Sequence, residues 1–203
     1  MINRRHIRVK VMQSVYAMTT SKADDLVKEE KFLKHSIQKL LDLYVLQLQM
    51  LVEVQKLATQ QIELSKKKHL ATKEDLQPNT KFINNKVIAA IANSTSISDH
   101  ISNQKLDNWK NDDEYVTIIW QKLQASDLYS KYMSSKDNSF KADKNFIQDF
   151  FTEIIAPDDK LAEYYEDKTI SWLDDIPFVN TWILRTLSKV KENKPLLLEV
   201  FIR

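Results

Sequence analysis

The chain has 203 residues and not one glycine. Average usage near 7% would place roughly 14 in a chain this long. Glycine supplies the close backbone approach that phosphate-cradling loops of the GxxxxGK[ST] and GxGxxG kinds require, so neither can exist here. The two-residue Asn-Gly and Asp-Gly hairpin turns are lost with them, which argues against a meander of β-strands. What remains open to such a chain is helix, begun and ended by polar caps. The reading is an all-α bundle of about six to eight helices, one of them long.

Cysteine is also absent, which removes thiol catalysis, disulfides and thiolate metal sites. The four histidines, His6, His35, His69 and His100, never fall at the i, i+3 or i, i+4 spacing that puts two ligands on one helix face. No metal or cofactor is expected. No apolar run reaches the roughly 18 residues of a membrane span, and no secretory core follows the basic start, so the expected compartment is the cytoplasm. The formal charge is only +2, but it is unevenly placed. Residues 1–22 carry Arg4, Arg5, Arg8, Lys10 and Lys22 without one acid, whereas the rest of the chain holds 25 basic and 28 acidic side chains. Basicity is therefore read as a property of the N-terminus.

Helical periodicity runs through most of the sequence. Ile7, Val11, Val15 and Met18 form one stripe of a first helix, Arg4 to Thr19, with Asn3 as its cap. A second helix, capped by Ser21 or Asp24, extends to about Lys68, where Ser65 to His69 form a solvated end. Its stripe, Phe32, Leu33, Ile37, Leu40, Leu41, Tyr44, Val45, Leu48, Leu51 and Val52, needs cover from other helices or from a partner chain. Further helices are expected over Lys81–Asn93 and Asp113–Met133, with Ser96–Lys105 as an irregular loop and Ser134–Ser139 as a linker. A dense apolar face from Phe146 to Ile155 stops at Pro157. Asp158 and Asp159 open another helix, and Pro177 marks the start of the next. The apolar stretch from Pro195 to Arg203 ends without a continuation, as a chain lacking its C-terminal half would.

The opening of the first helix breaks a local rule. A helix N-terminus carries about half a positive charge and favours acids, yet Arg4, Arg5 and Arg8 crowd there with His6 beside them. Arg4 and Arg8 are one turn apart and Arg5 lies within about 60° of Arg8, so three guanidinium forks share a face. Forks and free backbone N–H groups together suit a polyanion. Lys10 adds charge, Gln13 offers an amide for a base edge, and Tyr16 offers a ring for stacking an unpaired base. The competing readings are a solvated basic start, a transit segment, and helix packing for Tyr16.

Arg4-Arg5-His6-Ile7-Arg8-Val9-Lys10-Val11-Met12-Gln13-Ser14-Val15-Tyr16-Ala17 resembles the opening of the NusB family of bacterial transcription antitermination factors. That family begins with an arginine cluster, a spaced arginine, then apolar-Gln-x-apolar-Tyr. A weaker match spans residues 145–189, through Phe146-x-x-Asp149-Phe150-Phe151, Leu161, Trp172, Val179-x-x-Trp182-x-x-Arg185 and Leu187. The resemblance implies a NusB-like helical fold that binds boxA-type single-stranded RNA with NusE, a small-subunit ribosomal protein. It further implies that the complex joins RNA polymerase and suppresses premature termination on ribosomal RNA operons. Arg4, Arg5, His6, Arg8, Lys10, Gln13 and Tyr16 are the RNA-binding candidates. The intervening segment looks like the insertion of extended, Bacteroidetes-type members. The family's C-terminal signature, Val-x-Ile-Asn-Glu followed by Phe-Val-Asn-Gly, is absent.

The expected organisation is a basic RNA-binding helix at 1–22, a long helix with an inserted helical region at 23–139, and NusB-like middle helices at 140–203. No enzyme is expected. The pairs Asp24-Asp25, Asp112-Asp113, Asp158-Asp159 and Asp174-Asp175 sit where helices start and read as caps, because adjacent carboxylates on a helix do not face each other. Trp109, Trp120, Trp172 and Trp182 read as core anchors. The alternative function is a protein–protein module, a homodimer included, pairing through the long amphipathic helix at Ala23–Lys68.

Overall fold

The computed structural model describes residues 4–21, 25–68, 72, 76–169, 171–192, 194 and 196–198. All regular structure among them is helical. Helices α1 (Arg4–Ser21) and α2 (Leu26–Lys66) are followed by α3 (Lys86–Ala92), α4 (Thr95–Gln104), α5 (Asn108–Asn111), α6 (Asp113–Gln124) and α7 (Asp127–Ser134). Helix α8 (Phe140–Phe150) widens into a π-helical stretch, Phe151–Ile155, and α9 (Asp159–Lys168) and α10 (Trp172–Lys189) complete the order. That makes ten α-helices among the described residues, more than the six to eight expected.

The surplus has one physical cause. Without glycine to stop a helix, the breaks are set by polar residues that start the next one. Asp25, Asn85, Ser94, Ser126, Ser139 and Asp158 each accept a backbone N–H from the first turn that follows. Ser126 thus divides the expected Asp113–Met133 helix in two, and Ser94 makes a helix of what reads as the loop Ser96–Lys105. At the end of α4, Lys105 takes the left-handed conformation at φ 53°. A glycine would sit there at no steric cost; lysine costs about 1–2 kcal/mol.

Three other boundaries differ from expectation. The helix read over Lys81–Asn93 begins only at Lys86, because Asn85 caps it after a turn at 81–84. The second helix is capped by Asp25, whose carboxylate accepts from Lys28 N at 3.0 Å, while Ser21 is the last residue of α1. Asn3 and Asp24, the other expected caps, lie outside the described residues, as do His69, Pro195 and 199–203. Pro177 does not open a helix but lies inside α10, which starts at Trp172.

Helix α2 is the axis of the core. From Leu40 to Val52 it is buried on nearly every side, with Leu43, Val45, Leu46, Leu48, Met50 and Leu51 fully covered. Helices α3, α6 and α10 pack most extensively around it, with α1, α4 and α5 adding smaller contacts. Burying each such leucine contributes about 2 kcal/mol. All four tryptophans fasten other elements to this axis. Trp109 Nε1 donates to Leu46 O at 2.8 Å, Trp172 Nε1 to Lys39 O at 2.7 Å and Trp120 Nε1 to Gln61 Oε1 at 2.8 Å. Trp182 meets the Tyr44 ring at 5.0 Å between centroids. Between Leu40 and Ala58 the long stripe is covered by the chain's own helices, the first of the two kinds of cover expected. Its two ends leave large apolar residues open: Leu26, Val27 and Phe32 in the first turns and Leu64 near the last are more than half exposed.

Polar pins lock the shell. Asp42, buried on α2, sits 2.8 Å from His100 Nε2 and accepts from Lys39 Nζ at 2.9 Å. Tyr132 OH donates to the buried Asp143 at 2.7 Å, and that carboxylate also accepts from Lys86 N at 2.9 Å. Leu196 and Leu198 pack on the core, and Leu198 N donates to Ser96 Oγ at 2.9 Å. No helix among the described residues is long and apolar enough to cross a membrane.

Candidate nucleic-acid interface

Helix α1 has two unlike sides, and the residue spacing decides which is which. His6, Lys10 and Gln13 recur at i, i+4 and i+7 and make one seam. Arg4, Arg8 and Val15 lie roughly opposite, about 160–200° around the axis.

The seam is closed against α10. Lys10 is 4% exposed and its ammonium donates to Asp175 Oδ2 at 2.8 Å. His6 Nε2 stands 3.1 Å from Asp175 Oδ1, and its ring stacks on Phe178 at 4.1 Å between centroids. Gln13 Nε2 donates to Asp174 Oδ2 at 2.9 Å. Burial pushes the Asp175 carboxyl above its ordinary range, against the opposing pull of Lys10 and His6.

The sequence assigns His6, Lys10 and Gln13 to RNA, and the structure uses them otherwise. Lys10 is buried on Asp175 and His6 is half-buried beside it, while Gln13, exposed at the edge of the same seam, has its amide engaged by Asp174. Their task is to moor α1. The mooring residues Asp174, Asp175 and Phe178 escape sequence reading. The signal was available: an acid-free first helix with a polar seam at 6, 10 and 13 needs carboxylates from elsewhere. The Asp174-Asp175 pair was instead assigned to capping, as was Asp112. Asp25 and Asp158 do cap; Asp112 instead accepts from Tyr164 OH at 2.7 Å and pairs with Lys168 at 3.0 Å.

The open side carries the other candidates. Arg4, Arg5 and Arg8 are all exposed, and no acid occupies the first turn of α1. Among the described residues none of the three has an ion-pair partner. Tyr16 is 72% exposed, on the flank beside Arg5 and Met12. Ile7, Val11 and Val15, expected as a stripe, are 39%, 40% and 56% exposed and thus only partly covered. The site is a cationic face with an aliphatic and aromatic margin, held at a fixed angle by its reverse side.

Comparison with family models, curated proteins and solved structures finds no match to the chain.

Proposed function

We propose that the chain is a non-enzymatic, cytoplasmic RNA-binding protein of transcription antitermination, similar in role to the NusB family. In this reading α1 grips boxA-type single-stranded RNA, NusE is the protein partner, and the complex acts with RNA polymerase to suppress premature termination at ribosomal RNA operons. The observation that carries it is the pairing of opposites on one helix. Three arginines stay exposed and unneutralised while the other side of the same helix buries a lysine on an aspartate. A basic segment that served only solubility would not need its reverse face fixed. Arg4, Arg5 and Arg8 contact phosphates, and Tyr16 stacks on a base.

Titration of a labelled boxA-like RNA, followed by fluorescence anisotropy, tests this. Wild type binds with an affinity that falls steeply with salt, by a slope of about −0.7 per phosphate contact. The R4E/R5E/R8E variant loses binding while its helical circular dichroism is unchanged, because none of the three supports the mooring. Equal affinity of the two proteins would overturn the reading.

One observation favours a second reading, a protein–protein contact. Leu26, Val27 and Phe32 at the start of α2 are exposed, as are the aliphatic residues of α1. A homodimer or heterologous contact through this end survives the triple arginine change in sedimentation. A monomer at all concentrations counts against the homodimer.

A further inference from the structure

Charge that looks diluted along the sequence is concentrated by the fold at the far end of α10. Two adjoining hollows there, about 440 and 580 Å3, meet at a ridge made by Asn84 and Lys86. Lys86 approaches from the start of α3 and Lys81 from the turn before it, its ammonium donating to Ser135 O at 2.8 Å, and Lys191 and Lys194 come from the segment after α10. Lys144 stands close by: its ammonium donates to Ser188 O at 3.1 Å and lies 5.3 Å from the centre of the Phe140 ring, which lines the second hollow.

Two carboxylates enter the lining, and neither closes it. Asp143 is buried and committed to Tyr132 and Lys86 N. Glu192 pairs with Lys86 at 2.7 Å across an exposed surface, an ion pair that yields readily to a stronger ligand. The lining also presents amides. Asn84, Asn93 and Asn138 are exposed and make no side-chain hydrogen bond among the described residues.

This chemistry selects among polyanions. A lipid phosphate and the carboxylates of an acidic peptide offer only acceptors, so these groups use half of each amide. A nucleotide offers donors and acceptors together on its base edge, and its phosphates suit the lysines. Geometry relates the trough to α1: the mooring at Asp175 and the trough beyond Lys189 are 14 residues apart on one helix, about 21 Å at 1.5 Å per residue.

Resting on the RNA reading of α1, we propose that the trough between α3, α8 and the segment after α10 is a second grip on the same single-stranded RNA. The arginine face holds one part of the strand. Lysines of the trough hold the phosphates of another, and Asn84 contacts its bases.

Two RNAs with the same start, about 6 and about 16 nucleotides long, separate the two grips in the anisotropy assay. Wild type binds the longer one more tightly. K191E/K194E weakens the longer RNA about tenfold, lowers the salt slope by about 1.4, as two lost phosphate contacts require, and leaves the shorter RNA unaffected. N84A, which alters no charge, weakens the longer RNA severalfold. Lys191, Lys194 and Asn84 are all exposed, so circular dichroism stays that of wild type. If K191E/K194E binds the longer RNA as wild type does, the trough proposal falls and the α1 reading stands. If R4E/R5E/R8E keeps the longer RNA and K191E/K194E loses it, the trough stands and the α1 reading falls. Failure of wild type to bind either RNA removes both. Loss of polyglutamate binding without loss of RNA binding in K191E/K194E would assign the trough to an acidic protein and overturn the proposal.

Discussion

Lys10 and Asp175 show how a single position can be read correctly as charged and wrongly as exposed. A buried pair of this kind holds only while both partners are present, since removing one leaves an uncompensated charge that costs about 3–5 kcal/mol. Lys10→Met is therefore expected to destabilise the protein by about 3 kcal/mol near neutral pH, or to release α1 from α10. The pH dependence has a definite sign. Burial raises the folded-state pKa of Asp175, so the folded chain keeps a proton that the unfolded chain has released, and the contribution of Asp175 to stability falls as pH rises through that interval. Without Lys10 the interval extends further upward. Urea unfolding at about pH 5 and pH 8 should show the variant's deficit smaller at the lower pH. A deficit that grows on acidification would contradict a buried, cation-dependent carboxylate.

At the scale of elements, α2 carries two environments on one continuous helix. Its first turns face solvent and its middle is the core, although both stretches are rich in leucine and valine. Leu48→Ala, at a fully buried site, should cost about 3 kcal/mol. Leu26→Ala, at a site 69% exposed, should stay within about 0.5 kcal/mol of wild type. Thermal or urea denaturation of the two variants checks the contrast, and similar losses would mean that the start of α2 is covered in solution. The helices themselves were largely legible from the 3.6-residue repeat of apolar side chains. Their ends were not, because the caps are single serines and aspartates within a sequence rich in both. Ser94 and Ser126 divide helices that periodicity alone would have joined or missed, and nothing local distinguishes them from the many serines that do not cap.

For the whole molecule, the fastening of all four tryptophans to α2 or to the Tyr44 ring on it predicts one cooperative transition. Tryptophan fluorescence and far-ultraviolet circular dichroism should follow the same unfolding curve, since indoles and helices lose the same axis together. Backbone amides of α1 should exchange sooner than those of α2, because α1 is moored by a few polar contacts and buries little apolar surface. Separate fluorescence and dichroism midpoints would mean that the helices around α2 open independently. The lack of glycine and cysteine, the periodicity and the arginine cluster are local properties, so the sequence alone excluded phosphate loops and thiol chemistry, determined an all-helical chain and singled out α1. Which side of α1 faces outward depends on Asp174, Asp175 and Phe178, more than 150 residues away. The lysine trough draws on three separate segments, no one of which carries enough lysines to read as a basic patch by itself. Both were decided by tertiary structure, because burial and electrostatic potential depend on distances in space, and spacing along a helix fixes only angles about its own axis.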